Sequence, residues 1–535
     1  MKKYLLVLVS LCCALLPALA EHPEYPELRK SDANIIGHVL DKKTSEHLPY
    51  IIIALKGTTI GTVTDATGHY FLKNLPEGNF VMEVSSVGYK TVTRNVTLKK
   101  GRTLEENFEL EEDAIALDGV VVSANRSETT RRLAPTLVNV VDLKLFETTN
   151  SSTLSQGLNF QPGVRVETNC QNCGFQQVRI NGLDGPYTQI LIDSRPVFSA
   201  LSGVYGLEQI PASMIERVEV MRGGGSALFG SSAIAGTINI ITKEPLRNSG
   251  QLSHTITSIG GSSAFDNNTS LNASLVTDDH RAGLYIFGQN RHRSGYDYDG
   301  DGFTELPKLK NQTVGFRSYL KTSTYSKLTF EYHHMQEFRR GGDMLDRPPH
   351  EAHIAEQLQH SIDGGSLKYD YFSPNEKNRL SVFASAANTD RDSYYGPGND
   401  PLKAYGKTTD LTAMGGAQYV HTFDKCLFMP SDLTAGLEYN HDRLKDNMWG
   451  YDRHTDQTVK VYSAFLQNEW KNKHWGILIG GRLDKHNMVD DVIFSPRANL
   501  RFNPTDNINL RLSYSSGFRA PQAFDEDMHI ENVGG

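Results

Sequence analysis

The sequence lacks any long apolar run beyond its N-terminus and carries no excess of basic residues. Its 535 residues include 54 Lys and Arg against 62 Asp and Glu, a formal net charge of −8. This balance offers nucleic acid no basic surface, so we exclude nucleic acid as a partner. The nearest approach to a membrane-spanning helix, Leu48 to Leu55, is far too short. A membrane itself is not excluded, because the strands of a transmembrane barrel alternate apolar and polar residues.

Cysteine is scarce as well, with five residues in the chain. A basic start, an apolar run from Tyr4 to Leu16 and a small-residue cleavage site predict a signal peptide over residues 1–20. The exported chain then retains Cys170, Cys173 and Cys426. In an oxidising compartment the first two, one short turn apart, are expected to form a disulfide, and Cys426 receives no role.

Residues 34–112 form the first predicted unit. Short β-rich runs alternate there with Gly, Pro and Asp turns, a pattern typical of a small β-sandwich. Three segments resemble the carboxypeptidase regulatory-like domain, a name that implies no peptidase activity here: Leu55 to Leu72, Asn74 to Gly78, and Gly88 to Lys90.

The next predicted unit, residues 131–245, ends in a strand, a glycine-rich turn and a second strand from Ile215 to Lys243. With Leu154 to Val166 and Val178 to Val197, this segment resembles the plug domain of TonB-dependent outer-membrane receptors, in the family's own order. The resemblance implies an α+β plug inside a β-barrel.

A short β-branched run precedes the plug, beside flexible polar neighbours. Its position implies, by the same resemblance, the TonB box, which the TonB energy-coupling complex captures as an added β-strand. An ordinary strand would have the same composition. The residues assigned are Leu117, Asp118, Gly119, Val120, Val121, Val122, Ser123 and Ala124.

Residues 246–535 consist of long alternating segments such as Leu328 to His333 and Ile508 to Ser515. One face of each suits lipid and the other a wet lumen, and short turns alternate with long connections, as periplasmic turns and external loops do in a transmembrane barrel. The long connections lie around 295–310, 339–360, 392–410 and 445–458. The predicted fold is therefore all-β dominated: a transmembrane antiparallel barrel preceded by a plug and a small sandwich.

The barrel is expected to be incomplete. About thirteen strands are predicted, whereas plugged outer-membrane transporters close with 22. The run Tyr514 to Gln522 also resembles a segment that lies in mid-barrel in the family. We therefore expect a truncated or split reading frame, or a fragment.

The resemblance implies energy-coupled uptake of a scarce metal chelate (a siderophore, cobalamin or haem) across the outer membrane of a Gram-negative bacterium. The expected partners are the TonB complex, outer-membrane lipid and the chelate. Two alternatives stay open: a TonB-linked importer of glycans or peptides that works with a surface lipoprotein, and a non-transporting surface barrel. No enzymatic activity is expected, because the sequence shows no nucleophile–base pair and no closed metal site.

Two plug loops are the candidate ligand contacts, by their position in the family plug. The first contains Cys170 and Cys173, for which a soft-metal site and a redox pair are alternatives to the disulfide. Its ligand-binding candidates are Gln171, Asn172 and Phe175, and those of the second loop are Phe198, Ser199, Ser202 and Tyr205.

Two predicted external loops carry candidate metal ligands. Asp297, Asp299, Asp301 and Glu305 resemble the start of a calcium loop, although Lys308 stands where the full motif has a bidentate Glu. Calcium is therefore weighed against a merely acidic, solvated loop. His350, His353, Glu356 and His360 belong to another predicted loop, which we interpret as solvated, with metal or haem capture as the alternative.

Overall fold

The computed structural model describes residues 30–65, 67–86, 88–112, 120–126, 129–170, 174–196, 210–277, 279–396, 401–505 and 508–523. Its first unit is a sandwich of two small sheets. The strands are β1 Lys30–Asp41, β2 Ile52–Leu55, β3 Gly61–Val63, β4 His69–Pro76, β5 Gly78–Ser85, β6 Val92–Leu98, β7 Thr103–Glu105 and β8 Phe108–Leu110.

In the first sheet, β1 pairs with β4 antiparallel and with both β7 and β8 parallel. The second sheet has the order β3-β2-β5-β6. Alternate residues of β1 and β2, including Ile35, Val39, Ile53 and Leu55, are fully buried between the two sheets. This period of two explains why the sequence pattern predicts a sandwich.

The second unit is the plug, a four-stranded sheet of order β11-β15-β16-β14 with a separate hairpin of β12 and β13. Its elements, with the short β9–β10 pair before it, are β9 Val120–Val121, β10 Thr129–Thr130, β11 Val138–Asp142, α1 Leu143–Thr148, α2 Leu154–Leu158, β12 Val164–Cys170, β13 Phe175–Ile180, β14 Thr188–Ile192, β15 Ile215–Arg222, α3 Ser226–Phe229 and β16 Gly236–Thr242. Asp142 caps the N-terminus of α1, since its carboxylate accepts a hydrogen bond from the Leu145 N–H at 2.8 Å.

Thirteen strands form one large antiparallel sheet in which every strand pairs with the next along the chain. They are β17 Ser249–Ser258, β18 Phe265–Val276, β19 Ala282–Arg293, β20 Lys308–Ser323, β21 Ser326–Gly342, β22 Ala355–Phe372, β23 Asn378–Gly396, β24 Tyr405–Cys426, β25 Met429–Met448, β26 Arg453–Lys471, β27 Trp475–His486, β28 Ile493–Thr505 and β29 Ile508–Ser515. The predicted fold class is confirmed.

The large sheet is apolar on one face and polar on the other. Leu437 and Leu466 point outward and are 65% and 56% exposed, whereas Glu438 and Gln467, the residues after them, are buried on the inner face. An apolar outer face beside a polar interior is the arrangement of a barrel in lipid.

The connections at the two ends of the sheet differ in length. Residues 324–325, 427–428 and 472–474 join strands at one end, whereas 294–307 and 343–354 do so at the other. The long connections are shorter than the sequence suggests, because the strands continue past the apolar zone. The N-terminal sandwich contacts the short-turn end, where the Thr59 N–H donates to the Thr324 carbonyl at 2.9 Å.

In the parts of the chain described, no helix is both long enough and apolar enough to cross a membrane.

Candidate transport path

The segment of residues 120–126 contains the described part of the predicted TonB box; residues 117–119 lie outside the described residues. Its strand β9 pairs antiparallel with β10, and the Val121 and Ala124 side chains are fully buried. The segment therefore lies packed inside the molecule rather than extended into solvent.

Glu219, on the plug strand β15, holds this segment. Its Oε2 accepts three hydrogen bonds, from the Val122 N–H at 2.9 Å, the Ser123 N–H at 2.9 Å and the Ser123 hydroxyl at 2.7 Å. The Asn239 side-chain amide donates to the same hydroxyl at 2.9 Å. Glu219 is fully buried, so its carboxylate replaces the water that the segment's backbone would otherwise bind.

The next residues of the segment contact the inner face of the large sheet. The Asn125 side chain donates to the Glu469 carboxylate at 2.8 Å, and the Arg497 guanidinium donates to the Ala124 carbonyl at 2.7 Å. Glu469 lies on β26 and Arg497 on β28. The segment is thus fastened on one side to the plug and on the other to the barrel wall.

Arg126 completes this contact through a buried ion pair with Glu438 on β25. The opposite oxygen of Glu438 accepts from Arg482 of β27 at 2.7 Å, so one carboxylate serves two guanidinium groups. The Arg126 guanidinium also lies 5.0 Å from the ring centroids of both Phe229 and Phe465, one on the plug and one on the wall.

A second charged network joins the plug to the wall along β20 and β21. Arg317 pairs with Asp193 of the plug at 2.5 Å and with Glu331 of the neighbouring strand, and Lys327 pairs with Glu244 at 2.7 Å. A cavity of about 40 Å³ lies beside Arg317 and Glu331. It has room for a few water molecules but not for a chelate.

The long-loop end of the barrel contains a group of cationic and phenolic side chains, of which Arg340 and Tyr394 are buried and Tyr405 and His350 are half-buried. The Tyr394 and Tyr405 rings meet edge to face at 4.9 Å, and His350 Nδ1 lies 2.8 Å from the Tyr405 hydroxyl. Arg340 lies close enough to both tyrosines to interact with them electrostatically. Within the described ranges the Tyr394 hydroxyl is buried and has no hydrogen-bond partner. Sequence reasoning singled out only His350 of this group and missed Arg340, Tyr394 and Tyr405.

Most of the predicted ligand residues lie outside the described residues, so they stay predictions. The structure places Phe175 at the start of β13 but does not describe its side chain. The predicted disulfide also stays a prediction because Cys173 is not described, while Cys170 Sγ lies 3.1 Å from Glu356 Oε2 on the barrel wall. The undescribed candidates are Gln171, Asn172, Phe198, Ser199, Ser202 and Tyr205.

The predicted calcium ligands converge in the loop after β19. One carboxylate oxygen from each of Asp297, Asp299, Asp301 and Glu305 lies within 4.8 Å of the others. Several of these carboxylates also accept hydrogen bonds from the loop backbone, for example Asp297 from the Gly302 N–H at 2.9 Å. Hard oxygen atoms at this spacing suit Ca²⁺.

The structure corrects the predicted histidine loop. His350 and His353 lie in a loop, but Glu356 and His360 belong to strand β22, where both are buried on the inner face of the sheet. His360 Nδ1 lies 3.4 Å from the Glu337 carboxylate, one of the pairs of polar groups that line the inner face of the sheet. The four residues therefore do not form one solvated loop.

His353 is instead paired with Asp343 at the long-loop end. Its Nδ1 lies 2.6 Å from Asp343 Oδ2, and the Ile354 N–H donates to Oδ1 at 3.1 Å. Burial by itself would raise the pKa of Asp343, but these hydrogen bonds outweigh it and hold the pKa below its usual range. The carboxylate stays ionised and braces the loop.

Three family models match the chain. The CarboxypepD_reg-like domain matches residues 35–122, the TonB-dependent Receptor Plug Domain residues 130–237, and the model described as TonB dependent receptor-like, beta-barrel, residues 242–529. The last covers more than half of the chain, so the chain belongs to the TonB-dependent receptors, a family of outer-membrane receptors and transporters rather than enzymes. The predicted family is confirmed.

Two vitamin B12 transporters are among the relatives of this chain. A vitamin B12 transporter, BtuB, of Vibrio vulnificus (strain CMCP6) is 24% identical over 424 residues, which are 76% of this chain and 64% of that transporter. The chain thus spans less than two thirds of that relative's length. A second BtuB, from strain YJ016, is 28% identical over 237 residues, 39% of each chain.

The solved structures show the same fold. The siderophore receptor PirA of Acinetobacter baumannii superposes with a TM-score of 0.63 at 19% identity, covering 73% of this chain and 62% of that one. A variant of the ferric enterobactin receptor PfeA of Pseudomonas aeruginosa, in complex with enterobactin, gives 0.61 at 19% identity and covers 73% and 63%.

Proposed function

We propose that this receptor takes up a scarce metal chelate, a siderophore, cobalamin or haem, across the outer membrane of a Gram-negative bacterium, driven by the TonB complex. The observation that carries the proposal is the 120–126 segment, which is fastened by Glu219 to the plug and by Glu438 and Glu469 to the wall. A force applied to this segment by the TonB complex would act on the plug and on the barrel wall together.

The long-loop end supports the choice of a chelate. Arg340 and Tyr394, which are buried, and the half-buried Tyr405 offer a cation, aromatic faces and hydroxyl groups close together. Such groups suit anionic, aromatic or carboxylate-bearing ligands. The relatives are a vitamin B12 transporter and two siderophore receptors, and the ligands in their names belong to the same class of metal chelates.

The mechanism that we propose has three steps. A chelate binds at the long-loop end, with the two predicted plug loops as further contacts, and the binding energy shifts the plug toward a state in which the 120–126 segment is released. TonB then adds its own strand to the predicted TonB box, residues 117–124, of which 120–124 belong to the released segment. Pulling opens the least stable parts of the plug and makes a path along the wall.

The coupling role is tested by deleting residues 117–124 and measuring both uptake and binding. We expect uptake of the chelate to be abolished while its affinity for the receptor, measured by calorimetry on purified protein, stays within about twofold, since the ligand site lies elsewhere. The same deletion in an unrelated TonB-dependent receptor of the same cells is the positive control. Unchanged uptake would refute the coupling role.

The ligand class is tested separately with purified receptor. Absorbance detects bound haem or cobalamin, and calorimetry detects siderophores. A Tyr394→Phe substitution removes only the hydroxyl group and is expected to weaken binding by roughly tenfold, the usual effect of one lost hydrogen bond to a charged ligand. Saturable binding of glycans or peptides, with no binding of any chelate, would refute the proposal.

We also propose that the loop after β19 binds Ca²⁺ through Asp297, Asp299, Asp301 and Glu305. Four converging carboxylates repel one another unless a cation lies among them. Calorimetry with Ca²⁺ is expected to show one site that an Asp299→Asn substitution weakens, whereas Asp392→Asn, an exposed control on β23, leaves it unchanged. Equal calcium affinity in both variants would contradict the assignment.

A further inference from the structure

The N-terminal sandwich carries a cluster of three imidazoles that the transport function does not use. His38 lies on β1, His69 begins β4, and His47 lies on the connection between β1 and β2. These are the only histidines between residues 30 and 250 of the sequence, and all three meet at one place on the surface. The ring centroids are 5.2 Å apart for His38 and His47, 5.8 Å for His38 and His69, and 4.8 Å for His47 and His69.

The backbone brings the three residues together. His38 and His69 are directly opposite each other in the antiparallel pairing of β1 and β4, which places their Cβ atoms about 5 Å apart. The connection that carries His47 folds back onto β1, where the Leu48 N–H donates to the Val39 carbonyl at 2.8 Å. The cluster is therefore set by the fold of the sandwich and does not depend on a flexible tail.

Gly68 allows the third histidine to approach. It has a φ of +77°, a conformation that favours glycine, and a Cβ there would lie 2.8 Å from the Cβ of His47. Any side chain at position 68 would push His47 away from His69.

The hydrogen bonds of His69 fix which of its nitrogens can bind a ligand. Nδ1 lies 3.0 Å from the Thr67 carbonyl, which can only accept, so Nδ1 carries the hydrogen atom. The Thr67 hydroxyl, in turn, donates to Asp65 at 2.7 Å. Nε2 of the neutral ring is then left with its lone pair. Metal-binding histidines show this arrangement, in which the second ring N–H donates to a backbone carbonyl or a carboxylate.

We propose that His38, His47 and His69 form a binding site for a divalent transition-metal ion such as Zn²⁺. Neutral imidazole is a preferred ligand of zinc, copper and nickel ions. In a tetrahedral zinc site the ligand nitrogens lie about 3.3 Å apart, so the three rings must rotate about their side-chain bonds to close on the ion. His47 and His69 are exposed and can do so, and water supplies the fourth ligand.

The site adds a metal-responsive element to a domain that contacts the barrel turns. The bound ion would join the β1–β4 pair to the connection before β2, and thereby stabilise the sandwich. This inference rests on the three histidines alone, so its failure would leave the proposed transport function untouched.

The test is a titration of the full-length purified receptor with Zn²⁺ alone, followed by calorimetry and by competition with a chromogenic zinc chelator. We expect one saturable site of micromolar or tighter affinity that His47→Ala weakens by at least about tenfold, since a ligand is lost. His454→Ala removes an exposed histidine on β26 and serves as the matched control. Cu²⁺ bound at the site should show nitrogen coordination in its electron paramagnetic resonance spectrum.

Two further measurements keep the test decisive. His69→Gln is a second variant that retains a polar side chain, and circular dichroism without metal establishes that both variants are folded. Zinc is expected to raise the melting temperature of the wild-type sandwich and not that of either variant. Absence of saturable zinc binding, or equal affinity in the His47 and His454 variants, would overturn the proposal. The three histidines would then be solvated surface residues with no metal-binding role.

Discussion

At the scale of single residues, the plug depends on polar groups that look misplaced in the sequence. Glu219 lies between Val218 and Val220 in a strand. Because successive side chains of a strand point to opposite faces of the sheet, Glu219 is expected to face water when the two valines face the core. The structure buries both faces of β15, and the carboxylate is satisfied by the 120–126 segment. A charged residue in the middle of a strand buried on both faces was the available signal, but nothing in the sequence indicates which segment supplies its partners.

Glu219→Ala is predicted to release the 120–126 segment. The Val122 and Ser123 N–H groups lose their acceptor inside the protein, at a cost of about 1–3 kcal/mol for each unsatisfied group. Hydrogen exchange at these two amides should become much faster than in the wild type. Glu219→Gln keeps an oxygen acceptor of the same shape and should show a smaller increase; slow exchange in the alanine variant would contradict the role given to Glu219.

At the scale of elements, close packing outweighs intrinsic propensity. Gly157 lies inside the helix α2, where alanine is normally preferred by about 1 kcal/mol. A Cβ at this position would lie 2.3 Å from the ring of Phe146, which belongs to α1. The glycine is therefore required by the packing of the two plug helices and not by the backbone conformation of α2.

Gly157→Ala is predicted to destabilise the plug by about 1–3 kcal/mol, because the added methyl group overpacks the contact with Phe146. The measurement is the denaturant concentration at the midpoint of plug unfolding, monitored through hydrogen exchange of the backbone amides in α1 and α2. A Phe146→Leu substitution in the same chain opens space and should recover part of the loss. A more stable Gly157→Ala plug would show that propensity governs this helix.

The outer face of the barrel gives a second prediction at this scale. Leu466→Arg places a charge in the apolar zone of β26 and is expected to reduce the free energy of folding into lipid vesicles by about 2–4 kcal/mol. Leu466→Ala adds no charge at the same position, so it is the matched control and should cost less. Equal losses in the two variants would contradict the placement of Leu466 in lipid.

At the scale of the whole molecule, buried charges join units that are distant in the sequence. Glu438 pairs with Arg126 of the segment before the plug and with Arg482 of another strand. Buried pairs of this kind contribute little net stability when complete, but they are costly to break. They therefore favour one position of the plug inside the barrel over other positions, in which these charges would be buried without partners.

Glu438→Ala is predicted to loosen the plug by about 3–5 kcal/mol, because two buried guanidinium groups lose their shared carboxylate. The strands of the barrel should stay folded in detergent, as judged by circular dichroism. The double variant Glu438→Ala/Arg126→Ala should regain part of the loss, and additive effects would show that the two residues do not interact.

The sequence alone determined the class of this protein and the type of each unit, because period-two alternation, turn residues and the plug motifs are local signals. It also indicated that the four acidic residues of the loop after β19 lie close together, since neighbouring carboxylates in one loop are brought together by the loop itself. Calcium binding by this loop stays a prediction. It misplaced Glu356 and His360, because a polar strand that lines a wet lumen resembles a loop in composition.

Only the tertiary structure decided the contacts between units. The bonds of the 120–126 segment join residues separated by about a hundred to several hundred positions, and the imidazole cluster joins three separate chain segments. Such pairings depend on how sheets curve and stack, and no local pattern encodes them. The chain specifies its strands residue by residue, whereas the seating of the plug is a property of the folded whole.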